Sequence, residues 1–336
     1  MKLRVGLVGL GDAWQHKFRP ALCTLSDWFE VRGVYDQVGH RARQVASEFG
    51  TTAVDGFRTL LGREDIDAAL LLAAQWYGTL PILAACGSGK AVYCGAELDL
   101  IPEEAERIKR SVEEAGIAFM AEFPHRQSPA TLRLKELIAT RLGPPQLLFC
   151  HRGRGARPNV NHVPEKPLQR AFDQELIGLI DWCCFVVGEQ PAEVTGLVHT
   201  RADDSLEEDY QMLTLHFSDR EHPGTGAVAQ ISCGRYVPDQ WHEAITYRPL
   251  AALQISCKQG IAFVDLPSTL IWFDERGRHQ ESLENERPVG EQLLAQFHRI
   301  VTSPVHKTSD LEDACRALSI AKAARQSHSQ GRRIAL

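Results

Sequence analysis

The sequence predicts an α/β protein in which a doubly wound parallel sheet is followed by an α+β domain with a largely antiparallel, open sheet. Three observations lead to this fold class. Roughly the first 120 residues alternate between short apolar runs and stretches of helical period, as βαβ units do. The run at 68–72 is wholly apolar, as in a strand that helices cover on both faces. After about residue 125 the strand-like runs are separated by hairpin-length gaps, which is typical of an antiparallel sheet.

The N-terminal domain is predicted to run from residue 1 to residue 123. It opens with a strand at 3–8 and a helix at 13–25. Strands and helices then alternate along the chain, because each apolar run is followed by a stretch of helical period. The predicted strands lie at 29–35, 68–72, 91–94 and 118–121, and the predicted helices at 41–49, 80–86 and 102–115.

The C-terminal domain is predicted to span residues 124–336. It begins with a helix at 129–140, a strand at 146–152, a basic loop at 151–157 and a helix at 174–187. Strand-like runs with short gaps follow, at 192–200, 210–217, 226–232, 250–256, 260–264 and 268–273. Two helices close the chain, at 291–302 and 310–327, and the last helix is expected to pack back against the first domain.

Composition and charge argue against several classes of protein. The 336 residues include 37 Lys and Arg and 43 Asp and Glu, a net charge of −6, which argues against a nucleic-acid partner held on a general basic surface. No apolar run has the length of a bilayer span, and the chain opens with a strand-like segment rather than a signal peptide. We therefore expect a cytoplasmic protein with no membrane partner. The nine cysteines form no CxxC motif, which predicts reduced, mostly buried thiols and no metal site.

The most informative segment is the glycine-rich turn that joins the first strand to the first helix. Gly9 permits the tight turn, and Gly11 lets the backbone approach a pyrophosphate, which would rest on helix N-terminal amides near Asp12 and Ala13. The third glycine of a GxGxxG motif is replaced by Trp14. A tryptophan there indicates either a wider gap between helix and strand or a side chain turned toward the ligand. The segment predicts a Rossmann dinucleotide site.

An acidic residue at the end of the second strand supports this site. A carboxylate at the position of Asp36 hydrogen-bonds the ribose hydroxyls of the adenosine half and repels a 2′-phosphate, so NAD is the predicted cofactor. Arg41 is a nearby base that could accommodate the phosphate, which makes NADP the less favoured alternative. Ala74, Gln75 and Gly95, after the predicted strands at 68–72 and 91–94, complete the predicted cofactor-binding residues. The opposing interpretation is a turn of this shape that has lost its ligand.

Several segments resemble the Gfo/Idh/MocA family of oxidoreductases, over most of the chain. The resemblance lies in the glycine turn with Asp36, in Gly-Lys-Ala-Val-Tyr-Cys at 89–94, in Leu-Lys-Glu-Leu-Ile at 134–138 and in the Asp-Trp pair at 181–182. It implies a Rossmann domain followed by an α+β domain. In the family the open sheet of that second domain usually mediates oligomers, so the resemblance implies a homodimer or homotetramer.

The chemical residues of the family do not carry over. The lysine that normally touches substrate and nicotinamide falls on Ala96, and the histidine that normally transfers the proton falls on Gly178. In the family the motif that contains this histidine ends in an aspartate, and this aspartate is retained as Asp181. Because neither alanine nor glycine can exchange a proton, we do not expect the family's ordinary sugar dehydrogenation by its ordinary residues.

Substitute catalytic residues are available near the same strand ends. Glu97 stands one residue after the missing lysine, and Glu122 and His125 stand just past the predicted strand at 118–121, at the edge where open α/β sheets bind ligands. With Asp181, we take Glu97 and His125 as the candidate catalytic residues. The simpler interpretation is a solvated carboxylate at Glu97 and a structural histidine at His125.

A basic segment predicts where the substrate binds. Arg152, Arg154 and Arg157 lie close together in the chain, and Arg126 follows the predicted strand at 118–121. Guanidinium groups bind carboxylates and phosphates through paired donors. We therefore predict a small polar, sugar-like substrate, for which an anionic group is one option. A solvated loop, or an oligomer contact that pairs with the acidic stretch at 203–209, explains the same arginines equally well.

Two functions fit these residues. The first is NAD(P)-dependent hydride transfer by non-standard catalytic residues. The alternative is a catalytically inactive protein that binds NAD(H) as a regulator or sensor, which the missing lysine and histidine favour. A scaffold with a closed dinucleotide site ranks last, because both glycines of the turn and the acid after the second strand are present.

Overall fold

Two compact units make up the described part of the chain. A computed structural model describes residues 2–73, 77–95, 102–156, 165–200, 208–217, 225–238, 243, 251–284, 286–303 and 309–336. Unit 1 consists of Met1–Pro124 with Arg287–Arg316, and unit 2 of His125–Glu286 with Ala317–Leu336. Each unit therefore draws on two separate stretches of sequence. The domain boundary at residue 123 and the packing of the last helix on the first domain stay predictions.

Unit 1 contains a six-stranded parallel sheet with the strand order β3-β2-β1-β4-β5-β6. The chain starts in the middle of the sheet and winds outward on both sides, so the predicted doubly wound Rossmann sheet is confirmed. The strands are β1 (Leu3–Val8), β2 (Phe29–Tyr35), β3 (Thr52–Ala53), β4 (Ala68–Leu71), β5 (Ala91–Cys94) and β6 (Phe119–Ala121). The helices between them are α1 (Arg19–Thr24), α2 (Gly39–Glu48), α3 (Phe57–Leu61), α4 (Leu80–Gly87) and α5 (Pro102–Ala115).

Apolar side chains bury both faces of the parallel sheet. One face belongs to a core that includes Leu7 and Phe18, and the other to a core that includes Leu60 and Phe119. Because successive side chains of a strand point to opposite faces, a central strand needs apolar residues at every position. All four residues of β4 are buried, as its wholly apolar sequence predicts.

The first helix starts with a π-helical turn, where the sequence predicts one regular helix. Trp14–Phe18 is π-helical and leads directly into α1. The amide of Phe18 lies 3.4 Å from the Ala13 carbonyl oxygen, five residues back. Pro20 has no amide with which to bond the His16 carbonyl, so the regular pattern is interrupted there. Such π-helical turns occur mostly inside α-helices and frequently at functional sites.

Unit 2 contains a nine-stranded sheet in the order β14-β13-β12-β11-β7-β10-β9-β8-β15. Among the described pairings, β7 and β10 are parallel and the others are antiparallel, which confirms the largely antiparallel sheet. The strands are β7 (Pro145–Ala156), β8 (Glu193–Thr200), β9 (Glu208–His216), β10 (Val228–Pro238), β11 (Leu253–Cys257), β12 (Gly260–Asp265), β13 (Thr269–Asp274), β14 (Gly277–Ser282) and β15 (Ile334–Ala335).

Four longer α-helices follow β6, and a π-helical turn at Ile138–Leu142 directly follows the first of them. The four α-helices are α6 (Pro129–Leu137), α7 (Glu165–Val187), α8 (Val289–Thr302) and α9 (Ser309–Gln330). The core of unit 2 combines sheet residues such as Ile231 with Leu134 of α6, Trp182 of α7 and Ile320 of α9. None of the helices within the described ranges is both long enough and apolar enough to cross a membrane.

The strand β7 continues to Ala156, through residues that the sequence predicts to be a loop. Its parallel pairing with β10 joins Gly153 to Gly234 and Gly155 to Val237. The hydrogen-bond ladder therefore overrides the local tendency of the glycines to form a turn. The sequence also misses β14, because its polar residues at the sheet edge lack the apolar alternation that marks a half-buried strand.

Candidate functional site

The turn after β1 has a backbone geometry that favours glycine. Gly9 and Gly11 have φ angles of 68° and 61°, in the left-handed region. A Cβ built on Gly11 would lie 2.5 Å from the Leu72 carbonyl oxygen, and one built on Gly9 would lie 2.8 Å from the Ala73 Cβ. Both glycines are therefore required for the turn to pass this close to the chain that follows β4.

Three successive amides after the turn are available to an anion. Within the described residues, no group accepts a hydrogen bond from the amides of Gly11, Asp12 or Ala13. These residues directly precede the helix that starts at Trp14, so the positive end of the helix dipole adds to the attraction. The donor set fits a pyrophosphate, which helix N-termini of this kind bind.

The Asp36 carboxylate holds the turn against the end of β2. Its Oδ2 accepts a hydrogen bond from the Leu10 amide at 2.9 Å, and its Oδ1 accepts one from the Val38 amide at 2.8 Å. The side chain is buried. Nη2 of Arg41 lies 3.3 Å from the carbonyl oxygen of Gly11. An acid and a base therefore both lie beside the glycine turn.

The Trp14 side chain points into the core of unit 1 and not toward a ligand. It is buried and packs on Phe49 at a ring-centroid distance of 6.0 Å. Its Nε1 is buried with no hydrogen-bond partner among the described groups. Of the two interpretations of this tryptophan, the ligand-facing side chain is therefore wrong. What Trp14 can contribute to the cofactor site is its backbone position at the start of the helix.

An aromatic cluster lies beside the turn, at the end of β2. Tyr77 packs on Tyr35 and Phe57, with ring centroids 5.6 Å and 6.2 Å away. Its hydroxyl oxygen accepts a hydrogen bond from the Gln37 amide at 3.0 Å. Burial raises the pKa of Tyr77 to about 12, so the hydroxyl stays protonated at neutral pH. The cluster thus combines three aromatic rings with one hydroxyl that is fixed by a backbone amide.

A buried charged cluster lies at the carboxyl ends of β5 and β6. Lys17, in the π-helical turn, forms an ion pair with Oε1 of Glu122, and the Tyr93 hydroxyl donates a hydrogen bond to Oε2 at 2.8 Å. The side chains of Lys17 and Glu122 are 18% and 2% exposed. A Cβ built on Gly95 would lie 3.7 Å from Glu122 Oε2. The predicted cofactor residue Gly95 therefore borders this cluster.

Sequence reasoning places Glu122 at this edge but misses Lys17. The signal that could have found it is helical spacing. Lys17 stands three residues after Trp14 and next to Phe18, both of which are buried. A lysine on the buried face of a helix requires a partner for its charge. Nothing in the sequence says which carboxylate supplies it.

His125 lies beside the position of the missing histidine. A Cβ built on Gly178 would lie 3.7 Å from His125 Cε1. The imidazole packs on the Trp182 ring with centroids 5.1 Å apart. Burial lowers the pKa of His125 to about 4, while a hydrogen bond with the Gly178 backbone acts in the opposite direction. The ring is therefore neutral at pH 7.

The Asp181 carboxylate is bound by Arg126. Nε of Arg126 donates to Oδ2 at 2.7 Å and Nη2 donates to Oδ1, which makes the pair bidentate. The guanidinium also lies 5.3 Å from the ring centroid of Phe185. The structure thus brings together two residues that the sequence assigns to different roles. Because each neutralises the charge of the other, Asp181 is better placed to orient Arg126 than to transfer a proton.

The remaining predicted substrate and catalytic residues are only partly described. Nε of Arg152 donates to Oε1 of Glu175 at 3.1 Å, so this arginine lies close to an acidic partner. In the described ranges no group of three His, Cys, Asp or Glu is arranged to hold a metal ion. The other predicted residues, Ala74, Gln75, Glu97 and Arg157, and the side chain of Arg154, lie outside the described residues.

Comparison with known proteins identifies the N-terminal part of the chain. Residues 3–123 match the model of an oxidoreductase family with an NAD-binding Rossmann fold, GFO_IDH_MocA. These residues belong to the Gfo/Idh/MocA family. The predicted family resemblance is thereby confirmed for the part of the chain that carries the glycine turn, Asp36 and the Lys17–Glu122 pair.

The names of the curated proteins that this chain resembles specify different compounds. The 2,7-anhydro-N-acetylneuraminate hydratase of Mediterraneibacter gnavus is 23% identical over 53% of this chain and 50% of its own length. The inositol 2-dehydrogenase of Acidothermus cellulolyticus is 32% identical over 47% of this chain and 47% of its own length. The chain thus matches about half the length of these curated relatives.

Solved structures share the fold over the whole chain. The aldose-aldose oxidoreductase of Caulobacter crescentus, solved with glycerol, matches with a TM-score of 0.83 over 100% of both chains at 15% identity. The NAD binding oxidoreductase of Klebsiella pneumoniae matches with a TM-score of 0.82 at 17% identity, over 99% of this chain and 98% of its own. At these identities the likeness concerns the fold.

Proposed function

We propose that this protein binds NAD(H) at the glycine turn and transfers a hydride between the nicotinamide and a small polar, sugar-like substrate. The observation that carries the proposal is the turn, where Gly9 and Gly11 are sterically required and three amides follow that bond to no acceptor among the described residues. When bound, the nicotinamide supplies the hydride donor or acceptor. The names of two similar proteins, an inositol 2-dehydrogenase and an aldose-aldose oxidoreductase, support a polyol or sugar as the substrate class.

The position of Asp36 supports NAD as the preferred cofactor. Backbone amides fix its carboxylate, and each oxygen keeps a lone pair for a ribose hydroxyl. A 2′-phosphate would approach this fixed negative charge. Arg41 beside the turn offsets part of that repulsion, so we expect a preference for NAD rather than exclusion of NADP.

We propose that His125 hydrogen-bonds the substrate oxygen whose carbon takes part in hydride transfer. A neutral imidazole donates a hydrogen bond from one ring nitrogen and accepts one at the other, and its low pKa suits polarising a carbonyl better than removing a proton from an alcohol. Asp181 acts as a positioning residue through Arg126. Glu97 is retained as a second acid or base from its place after β5.

The arginines remain the proposed substrate-binding residues. Arg126 presents its guanidinium in a fixed orientation because Asp181 holds it in a bidentate pair. Arg152 is 41% exposed beside its carboxylate partner, so it retains contact with solvent. With Arg154 and Arg157 these residues would bind a carboxylate or phosphate group on the substrate.

We also propose that the protein is a homodimer or homotetramer and that the outer face of the second sheet forms the contact between subunits. In β7 the buried Leu148 and Cys150 alternate with Leu147 and Phe149, which are 45% and 43% exposed. An apolar patch on an open sheet face is typical of a protein contact. A cytoplasmic location is supported by the nine cysteines, which form no CxxC motif and fit a reducing compartment.

A catalytically inactive NAD(H) sensor is the second candidate. The observation that favours it is the low basicity of His125 together with the alanine and glycine that replace the family's lysine and histidine. A sensor would bind NADH as tightly as an enzyme does but would transfer no hydride between the nucleotide and a sugar. Turnover with a substrate that depends on His125 would exclude the sensor.

The test is calorimetric titration of the nucleotide-free protein with NADH, NADPH and ADP-ribose. We expect NADH to bind at micromolar concentrations and more tightly than NADPH. Asp36→Asn should narrow the difference between the two, because it removes the charge but keeps an oxygen acceptor. Arg41→Gln should widen it. If the ratio of the NADH and NADPH dissociation constants were unchanged in both variants, the assignment of NAD would be overturned. The absence of all nucleotide binding would overturn the proposed function.

A further inference from the structure

The buried cluster of Lys17, Glu122 and Tyr93 lies at the edge of the parallel sheet where open α/β folds bind ligands. Glu122 directly follows β6 and Tyr93 lies in β5. Their polar atoms therefore lie at the carboxyl end of the sheet, where open α/β folds bind ligands. The residue after β5 is a glycine, and a Cβ built on Gly95 would lie 3.7 Å from Glu122 Oε2.

The contribution of this charged cluster to the free energy of unfolding does not by itself explain its presence. Two charges that are 18% and 2% exposed lose most of their hydration, and a well-packed apolar pair is often as stable. Glu122 accepts from both Lys17 and Tyr93, so each carboxylate oxygen has one donor. Burial and the charge of Glu122 raise the pKa of Tyr93 well above its ordinary value. The hydroxyl is therefore a permanent donor.

The strand order tells which half of a dinucleotide would lie near this cluster. The glycine turn follows β1, and Asp36 follows β2, on one side of β1. The strands β4, β5 and β6 extend on the other side. A dinucleotide whose pyrophosphate sits at the turn and whose adenosine ribose sits at Asp36 must extend its nicotinamide over the ends of β4 and β5.

The helix that starts at the turn brings Lys17 to the same place. Its stem packs closely on α8, since a Cβ built on Gly290 would lie 3.1 Å from Lys17 Cγ. The glycine thus leaves space for the lysine to cross to Glu122. The turn that binds the pyrophosphate and the cation that reaches β6 therefore belong to one continuous segment.

We infer that the Lys17–Glu122 pair balances the affinities of this protein for the oxidised and the reduced nicotinamide. The inference rests on the proposed function, because it requires NAD(H) at the glycine turn. Oxidised nicotinamide carries a positive charge and reduced nicotinamide carries none. A carboxylate nearby therefore stabilises NAD⁺ relative to NADH, and an ammonium does the opposite. As a neutral pair, the two residues keep the affinities for both forms close together.

The experiment measures the dissociation constants of NAD⁺, NADH and ADP-ribose for the full chain and for variants of the pair. Glu122→Gln should weaken NAD⁺ relative to NADH by roughly tenfold, or about 1.4 kcal/mol, because the ammonium remains alone. Lys17→Gln should shift the ratio in the opposite direction. The double variant should return toward the ratio of the unchanged protein. ADP-ribose has no nicotinamide, so its affinity should change little in all three.

Arg19→Gln is the matched control, because Arg19 follows Lys17 on the same helical segment and pairs with Glu48 at 2.6 Å in a more exposed place. It should leave the NAD⁺ to NADH ratio unchanged. Circular dichroism selects the variants that fold. Tyr93→Phe removes one hydrogen bond to the Glu122 carboxylate, which leaves more of its negative charge uncompensated. This variant should therefore bind NAD⁺ more tightly relative to NADH. Single variants that fold, bind ADP-ribose and keep the original ratio would overturn the inference. Loss of ADP-ribose binding by the unchanged protein would instead overturn the proposed function.

Discussion

At the scale of single residues, Gly11 should couple the backbone path to the proposed nucleotide binding. Its φ of 61° costs a residue with a side chain about 1–2 kcal/mol. The Leu72 carbonyl oxygen also leaves no room for a Cβ. Any shift of the turn that admits a methyl group moves the amides of Asp12 and Ala13 as well. Stability and nucleotide affinity should therefore fall together at this position.

Gly11→Ala should lower the free energy of unfolding by about 2–4 kcal/mol and weaken NADH binding by more than about tenfold. The matched control is Gly50→Ala. Gly50 has a φ of 62° with nothing within 4 Å of a built Cβ, so it carries the strain without the clash. Urea unfolding and NADH titration of both variants make the comparison. Equal losses of affinity would contradict a local effect at the turn.

His125 should make the stability of the protein depend on pH. Its pKa is lowered to about 4 from 6.5, so between these values the unfolded chain binds a proton that the folded chain does not. Stability should therefore rise as the pH rises from about 4 to about 6.5 and level off above. A shift of this size corresponds to about 3 kcal/mol over the whole interval.

His125→Gln should flatten this dependence in urea unfolding measured across the same interval. His151 and His216 should contribute to the slope that remains, because burial lowers the pKa of each of them as well. His151→Gln is the control and should remove a smaller part. If the variant at 125 kept the full slope, the imidazole would be titrating in contact with solvent, and its neutral state at pH 7 would no longer follow from burial.

At the scale of elements, the contact between β8 and α9 depends on Gly196. Its amide donates to Ser327 Oγ at 3.1 Å, and a Cβ at this position would overlap the Ala324 carbonyl oxygen. The strand and the helix approach each other backbone to backbone, so no rotamer change can relieve an added methyl group. The conflict must be met by moving one whole element.

Gly196→Ala should therefore lower the free energy of unfolding by about 3 kcal/mol, the upper end of the range for overpacking. Thr195→Ala is the control at the neighbouring position of the same strand, where the side chain is exposed. It should change stability by less than about 0.5 kcal/mol. Chemical denaturation measures both. A loss of similar size in the two variants would mean that the strand, and not the close approach, is sensitive to substitution.

The same scale shows what the sequence could and could not predict. The limits of β2 and β5 were predictable to the residue, because β-branched and apolar residues are bounded by polar or turn residues. The π-helical turn was not, since it arises from Pro20 acting on a carbonyl one turn earlier. Glu122 was predictable at the strand end, but its pairing with Lys17 joins residues 105 apart in sequence. Such a pair depends on how the helix packs on the sheet.

At the scale of the whole molecule, the outer face of the second sheet should decide the oligomeric state. Phe149 of β7 is 43% exposed. On the strands beyond β11, Phe263 and Phe273 pack edge to face with centroids 6.2 Å apart. Each apolar side chain on this face would lose its contact with water in an assembly, at about 25 cal/mol per Å² of buried apolar area. A patch of this kind is large enough to drive association only when several strands contribute to it.

Phe149→Lys should shift the protein toward smaller species in sedimentation velocity, because a lysine cannot be buried in an apolar contact without losing its hydration. Leu80→Lys is the control, since Leu80 is 50% exposed in unit 1 and should leave association unchanged. Circular dichroism should show that both variants keep their fold, because neither side chain lies in a core. An unchanged sedimentation coefficient for Phe149→Lys, or a monomeric unchanged protein at all concentrations, would assign this face to solvent. Retained NADH affinity in a dissociated variant would further show that the nucleotide site of unit 1 does not depend on the assembly.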